Sequence, residues 1–278
     1  MKIKKQKTIL ITGCSTGIGL CVAQALHSKG YRVFATARKE EDVQKLKELG
    51  LESLQLDLDD SASIIQAVDN ILIKTKGTLD ALFNNGAFGQ AGAIEDISRN
   101  SLRQQFETNV LGWHELTNLV LPVMLKQGHG RIIQNSSVLG FVALKFRGAY
   151  VASKYAIEGL SDTLRQELTG TNIFVSLIEP GPIHSQFRAN SFAAYKKNID
   201  KENSRFKQEY EATEKRLGKK GAAVPFTLPP EAVLKRVIHA IESKKPKPRY
   251  YVTTPTYLFG FLKRFLSTRF MDRILSKI

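Results

Sequence analysis

Between residue 8 and about residue 179, short runs of apolar and β-branched residues alternate with longer stretches in which apolar positions recur every three or four residues. The short runs at 8–12, 32–36, 53–56, 79–83, 131–135 and 173–178 predict strands. The longer ones at 18–29, 41–49, 61–74, 101–125 and 150–168 predict amphipathic helices. Such alternation builds βαβ units, so the chain reads as an α/β protein: a doubly wound parallel sheet in three α/β/α layers. Right-handed crossovers place the ligand crevice beyond the carboxyl ends of the strands.

After Pro180-Gly181-Pro182 the pattern changes. Residues 185–220 are polar, basic and helical in bias, and read as a helical flap over the sheet's ligand edge. A helix over 230–243, with proline at its start, and a strand over 249–252 complete a single domain spanning 1–255. The tail, 256–278, is a C-terminal helical extension with apolar Leu258, Phe261, Leu262 and Phe265, then Met271, Ile274, Leu275 and Ile278, interleaved with Lys263, Arg264, Arg269, Arg273 and Lys277. It can dock on the protein's own core, lie on an anionic membrane surface, or meet another subunit.

The 278 residues are 42% hydrophobic and 24% charged, an ordinary globular composition. A net charge of +15 comes without any helix-turn-helix, RNP or zinc-finger pattern, so nucleic acid is not expected as a partner. Cys14 and Cys21 lie too close together to close a useful disulfide loop, and no histidine–carboxylate spacing suggests a metal. The basic start is followed by an apolar run at 9–11 that is too short for a signal-peptide core, and no run approaches the ~20 apolar residues of a membrane span. A cytoplasmic protein is expected, with peripheral contact at the inner membrane face left open.

Candidate chemistry sits in three places. Gly13, Gly17 and Gly19, in Thr12-Gly13-Cys14-Ser15-Thr16-Gly17-Ile18-Gly19, directly follow the first strand and open a helix. That is a Rossmann-type dinucleotide turn: the glycines allow a tight bend and close backbone approach to a pyrophosphate at the helix N-terminus. At the end of the second strand, where an acid would bind the ribose hydroxyl of NAD, Ala37-Arg38-Lys39 supplies cations, pointing to NADP(H). Asp57 after the third strand is either an adenine contact or a helix-capping aspartate. The third place is Tyr150 with Lys154 four residues on, one helical turn apart, and Ser137 upstream. A cation ~5 Å from a phenol at an effective dielectric near 20 is worth about 3 kcal/mol, enough to bring tyrosine toward a proton-transfer role at neutral pH.

Together with Asn84-Asn85-Gly86-Ala87, Asn109, Asn135-Ser136-Ser137 and Pro180-Gly181, these residues resemble the short-chain dehydrogenase/reductase family over nearly the whole chain. The resemblance implies that Tyr150 is the proton donor, Lys154 lowers its pKa and holds the nicotinamide ribose, and Ser137 hydrogen-bonds the carbonyl oxygen. It further implies that Asn109 kinks its helix and anchors a proton-relay water. Gly13, Ser15, Thr16, Gly17, Ile18, Gly19, Arg38, Lys39, Asp57, Asn85, Pro180 and Gly181 would join Tyr150 and Lys154 in holding NADP(H). The family usually has Asn-Asn-Ala-Gly where this chain has Gly86-Ala87, so a slightly displaced turn is expected there. Within the family the chain looks like the branch of 17β-hydroxysteroid and retinol dehydrogenases and of bacterial NADP-dependent aldehyde reductases. Apolar residues flanking the expected pocket (Phe88, 138–144, Phe146, Phe187, Phe192, Tyr195) favour a lipophilic aldehyde or ketone. A steroid- or retinol-type alcohol dehydrogenase and a non-catalytic NADP sensor are the alternatives. Pairing through the helices at 101–125 and 150–168 would give a homodimer or homotetramer.

Overall fold

The computed structural model describes residues 6–278; the first five residues of the basic start lie outside it. Seven strands, β1 (Thr8–Ile11), β2 (Arg32–Ala37), β3 (Glu52–Gln55), β4 (Ala81–Asn84), β5 (Gly130–Asn135), β6 (Ile173–Glu179) and β7 (Arg249–Tyr251), form one parallel sheet in the order β3-β2-β1-β4-β5-β6-β7. The order reverses between β1 and β4, where Ile11 pairs with Phe83, and this switch point opens the ligand crevice.

Alternate strand residues feed opposite cores, as the two-residue period requires. Ile9 and Ile11 join Val22, Leu26, Val43, Val233 and Val237 under α1 (Gly17–Ser28), α2 (Glu40–Glu48) and α9 (Glu231–Glu242). Leu10 joins Ile64, Val68, Trp113, Leu116 and Ile157 under α3 (Ser61–Thr75), α5 (Gly112–Gln127) and α6 (Gly148–Glu167).

The single helix expected over 101–125 is three pieces: α4 (Arg99–Phe106), a π-helical turn at Glu107–Leu111, and α5. The wide turn is where Asn109 leaves the helix to bond elsewhere, which periodicity alone does not report.

The flap is helical as expected, with α7 (Phe187–Asn198) and α8 (Lys207–Gly218) sharing a small core of Tyr195, Tyr210 and Leu217 with Ala91 and Ala93. Tyr210 accepts from the Ala93 amide at 2.9 Å and donates to Asp96, tying flap to sheet edge. The tail forms α10 (Thr254–Phe265) and α11 (Thr268–Leu275), docked through Phe259, Leu262, Met271 and Leu275 on Leu139 and Val142. Its other face leaves Tyr257, Leu258, Phe261 and Phe265 exposed. Among the described residues, no helix is long and apolar enough to cross a membrane.

Candidate active site

The glycine turn closes where the expected spacing places it. Gly13 and Gly17 have φ of +68° and +61°, a region that disfavours any side chain. A Cβ on Gly13 would lie 2.5 Å from Gly86 Cα, and one on Gly19 2.2 Å from the Gly13 carbonyl oxygen. Thr12 Oγ1 accepts from the amides of Asn85 and Gly86, both at 2.9 Å. Asn85 Nδ2 donates back to the Thr12 oxygen at 3.0 Å, and Asn135 Nδ2 donates to Asn85 Oδ1 at 2.9 Å. Asn85 is therefore a strap between two loops. The exchanged Gly86-Ala87 pair brings no strain: Gly86 makes room for Gly13, and Ala87 is not among the positive-φ residues.

Thr16 caps α1 in an extended conformation without a side-chain hydrogen bond, and the first turn holds no acid. The leading amides are thus free of any side-chain partner and carry the positive end of the helix dipole, beside exposed Ser15 and Thr16. The cradle, its crowded glycines and the uncapped amides fit a dinucleotide pyrophosphate. Ile18 sits half-buried beneath it. At the end of β2, exposed Arg38 has no ion pair among the described residues, whereas Lys39 is held by Glu41 at 3.1 Å. Asp57 bonds the Asp59 amide at 3.1 Å, while the cap of α3 is Asp60, which accepts from Ala62 at 2.9 Å; the capping alternative for Asp57 is corrected.

Tyr150 and Lys154 face together on α6, with the ammonium 5.6 Å from the phenol ring centre. Lys154 is buried (1% exposed), donates to the Asn135 carbonyl at 2.7 Å and lies 4.3 Å over the Trp113 ring. Trp113 in turn donates to the Gly86 carbonyl at 2.8 Å, linking the lysine's floor to the glycine turn. Ser137 starts a short 3-10 turn and accepts from the Leu139 amide at 3.1 Å, its hydroxyl turned toward the Pro180 carbonyl. Ser136 points away, under Gly140, where a Cβ would meet its Oγ at 2.6 Å. Pro180 also accepts from Val138 at 2.8 Å, and Gly181 leaves space for Thr253. His184 stays exposed in the loop leading to the flap.

The electrostatics differ from the expectation for Tyr150. Burial pushes its phenol up, with Ser137 pulling back, and burial brings Lys154 down to about 7, with Glu158 one turn on opposing it. Desolvation dominates both shifts: Lys154 is buried against Trp113, and the Phe187 ring covers the half-buried Tyr150. Phe187 at the start of α7 packs its ring 5.1 Å from that of Tyr150, and the Cβ of Ser185 lies 2.9 Å from where one on Gly17 would be. The flap is closed over the crevice.

Asn109 is buried with its amide fully engaged: Oδ1 accepts from the Phe88 amide at 3.1 Å, and Nδ2 donates to the Phe88 carbonyl at 2.9 Å and to Ser153 Oγ at 3.1 Å. It thereby fixes the loop after β4 to the helix carrying Tyr150. Sequence reasoning missed Trp113 and gave Phe187 no more than a pocket-lining role. Trp113 lies one turn after Asn109, a spacing that could have flagged it.

Residues 7–196 match a family profile described as short chain dehydrogenase. An uncharacterized oxidoreductase, YbbO, of Escherichia coli K12 is 44% identical over 270 residues, covering 97% of this chain and 94% of its own. Human 17-beta-hydroxysteroid dehydrogenase type 1 is 33% identical over 261 residues, 88% of this chain and 77% of that protein. Among solved structures, a short-chain dehydrogenase from Streptomyces avermitilis superposes with a TM-score of 0.76 at 26% identity over 94% of each chain. Similar structures have been solved with NAD and with NADP+. With the parallel sheet, the glycine cradle and the Ser137, Tyr150 and Lys154 set already in place, these matches make the chain a member of the short-chain dehydrogenase family of NAD(P)-dependent oxidoreductases.

Proposed function

We propose that this protein is an NADP(H)-dependent reductase of lipophilic aldehydes or ketones. The observation that carries the reading is the convergence of Tyr150, Ser137 and buried Lys154 at the same end of the sheet as an uncapped α1 and an Arg38 that has no ion pair among the described residues. The reduced dinucleotide, held by the glycine turn, the α1 amides and Arg38, supplies the hydride. Tyr150 Oη gives its proton to the carbonyl oxygen as that oxygen gains charge, and Ser137 Oγ donates a hydrogen bond to the same atom. Lys154 stands behind the phenol, ready to favour its deprotonated form when charged. The Phe187 ring against Tyr150 gives the site an apolar cover, which suits a lipophilic carbonyl compound.

Tyr150→Phe keeps the ring and removes the transferable proton. It is expected to lower aldehyde-dependent NADPH oxidation by about 10²–10⁴-fold while leaving NADPH binding within a factor of about two, measured by absorbance and by titration. Cofactor binding by the wild type without oxidation across an aldehyde panel would replace this reading with a sensing role. Arg38→Ser is expected to raise KM for NADPH at least about tenfold and leave that for NADH nearly unchanged, since a fork on a 2′-phosphate is worth 1.5–3 kcal/mol. Equal losses with both dinucleotides would remove Arg38 from cofactor selection.

A further inference from the structure

Three arginines sit on segments that meet at the flap: Phe146, next to Arg147, packs with Tyr210 and Leu217 of α8, Leu217 follows Arg216, and Arg188 bonds the chain just after that helix. Arg147 immediately precedes α6, three positions ahead of Tyr150, and its backbone bridges to Gly92. Arg188 follows Phe187, whose ring lies on Tyr150, and its guanidinium donates to the carbonyls of Lys219 and, at 2.8 Å, Gly221. Arg216 stands in the last turn of α8. All three are half-buried.

Among the described residues, the side chains of Arg147 and Arg216 have neither a hydrogen bond nor an ion pair, and Arg188 has only main-chain oxygens. Half-buried Arg32 and Arg249 are paired with acids, Arg32 with Glu52 and Arg249 with Glu158, Asp162 and Glu179, and half-buried Arg131 and Arg236 at least donate to oxygens, Arg131 to main-chain carbonyls and Arg236 to the Tyr257 hydroxyl; Arg147 and Arg216 have no such acceptor among the described residues. Burial, then repulsion from Arg216, brings Arg147 down to about 10; Arg216 is lowered by burial and by Arg188. Arg147 is opposed by Arg216 and Arg216 by Arg188, with no acid offsetting either. Half-buried like charges oppose folding unless something of opposite sign offsets them. Guanidiniums from three separate segments are suited to an oxyanion, which each can bind through two parallel donors.

We propose that Arg147, Arg188 and Arg216 form a receptor for the anionic end of the substrate, a carboxylate or phosphate ester at the far terminus of a lipophilic carbonyl compound. The proposal rests on the carbonyl-reductase reading and narrows it: the apolar body lies along the flap, the carbonyl faces Tyr150, and the head group meets the guanidiniums.

The test uses the full chain with octanal, 8-oxooctanoate and 8-oxooctyl phosphate as substrates, and calorimetric titration with octanedioate and 1,8-octanediol as a measure independent of turnover. The wild type is expected to favour an anionic aldehyde over octanal by at least about tenfold in kcat/KM, mainly through KM, the gain of one charge-assisted contact. Whichever of the two anions gains more identifies the head group. Arg216→Gln should erase the preference and the tighter binding of octanedioate, with octanal turnover within about twofold of wild type; Arg147→Gln should act in the same direction. Octanedioate binding no tighter than the diol, or binding undiminished in Arg216→Gln, would overturn the proposal. If octanedioate binding depends on Arg216 while none of the aldehydes is reduced, the anion site stands and the carbonyl-reductase reading falls.

Discussion

Lys154 shows how far a side chain's chemistry is set by what covers it. Its nitrogen is held by the Asn135 carbonyl and the Trp113 face, with little water, and is brought down to about 7 from the ordinary lysine range. A depressed lysine binds its proton more readily in the unfolded chain, so folding stability rises with pH between about 7 and the unfolded value near 10.4. Relative to Lys154→Met, the ligand-free wild type should therefore gain stability from pH 7 to pH 10 in denaturant titrations. Parallel stability profiles for the two proteins would show that the buried ammonium keeps its ordinary affinity for the proton. The Tyr150–Lys154 pairing was legible in the sequence because a spacing of four is a local property of a helix. The direction of both shifts was not, since it depends on Trp113 and Phe187, which arrive from distant segments.

Among the elements, α1 was the most legible, since a strand, three spaced glycines and an amphipathic run state turn and helix together. Its consequence is steric. Gly19→Ala would place a methyl carbon 2.2 Å from the Gly13 carbonyl oxygen, against backbone that has no rotamer to relieve the clash. Overpacking of this kind costs about 1–3 kcal/mol, and here it also displaces the leading amides of α1, the proposed pyrophosphate cradle. Thermal melts should show destabilisation, and titration should show at least tenfold weaker dinucleotide binding; a variant that binds as wild type would mean the cradle has slack. The π turn was not legible, because the apolar rhythm of 101–125 continues across it. Only the contacts of Asn109 with Phe88 and Ser153 reveal why the helix widens there.

At the scale of the whole molecule, Arg249 ties the last strand to α6, the helix that carries Tyr150 and Lys154. From β7 it reaches Glu179 at 3.1 Å, Glu158 at 3.0 Å and Asp162 at 2.7 Å. Glu179 is 1% exposed, and burial together with Glu158 pushes its carboxyl up to about 9. Arg249→Met would strip this group of its cation, and loss of one partner from a buried pair costs about 3–5 kcal/mol. Urea unfolding should show a loss of that order; a loss below about 1 kcal/mol would mean the cluster is effectively solvated. The sheet order and layers followed from alternation of short and long apolar runs. This network did not, because its charges lie on three elements that meet only after folding.

The chain contains one tryptophan, and the fold has set it under Lys154 and against the carbonyl of Gly86. All indole emission of this protein thus originates where the buried Lys154 meets the glycine turn. Intrinsic fluorescence is consequently a label-free window on the ionisation of Lys154 and on movements of the glycine turn, with no background from elsewhere in the molecule.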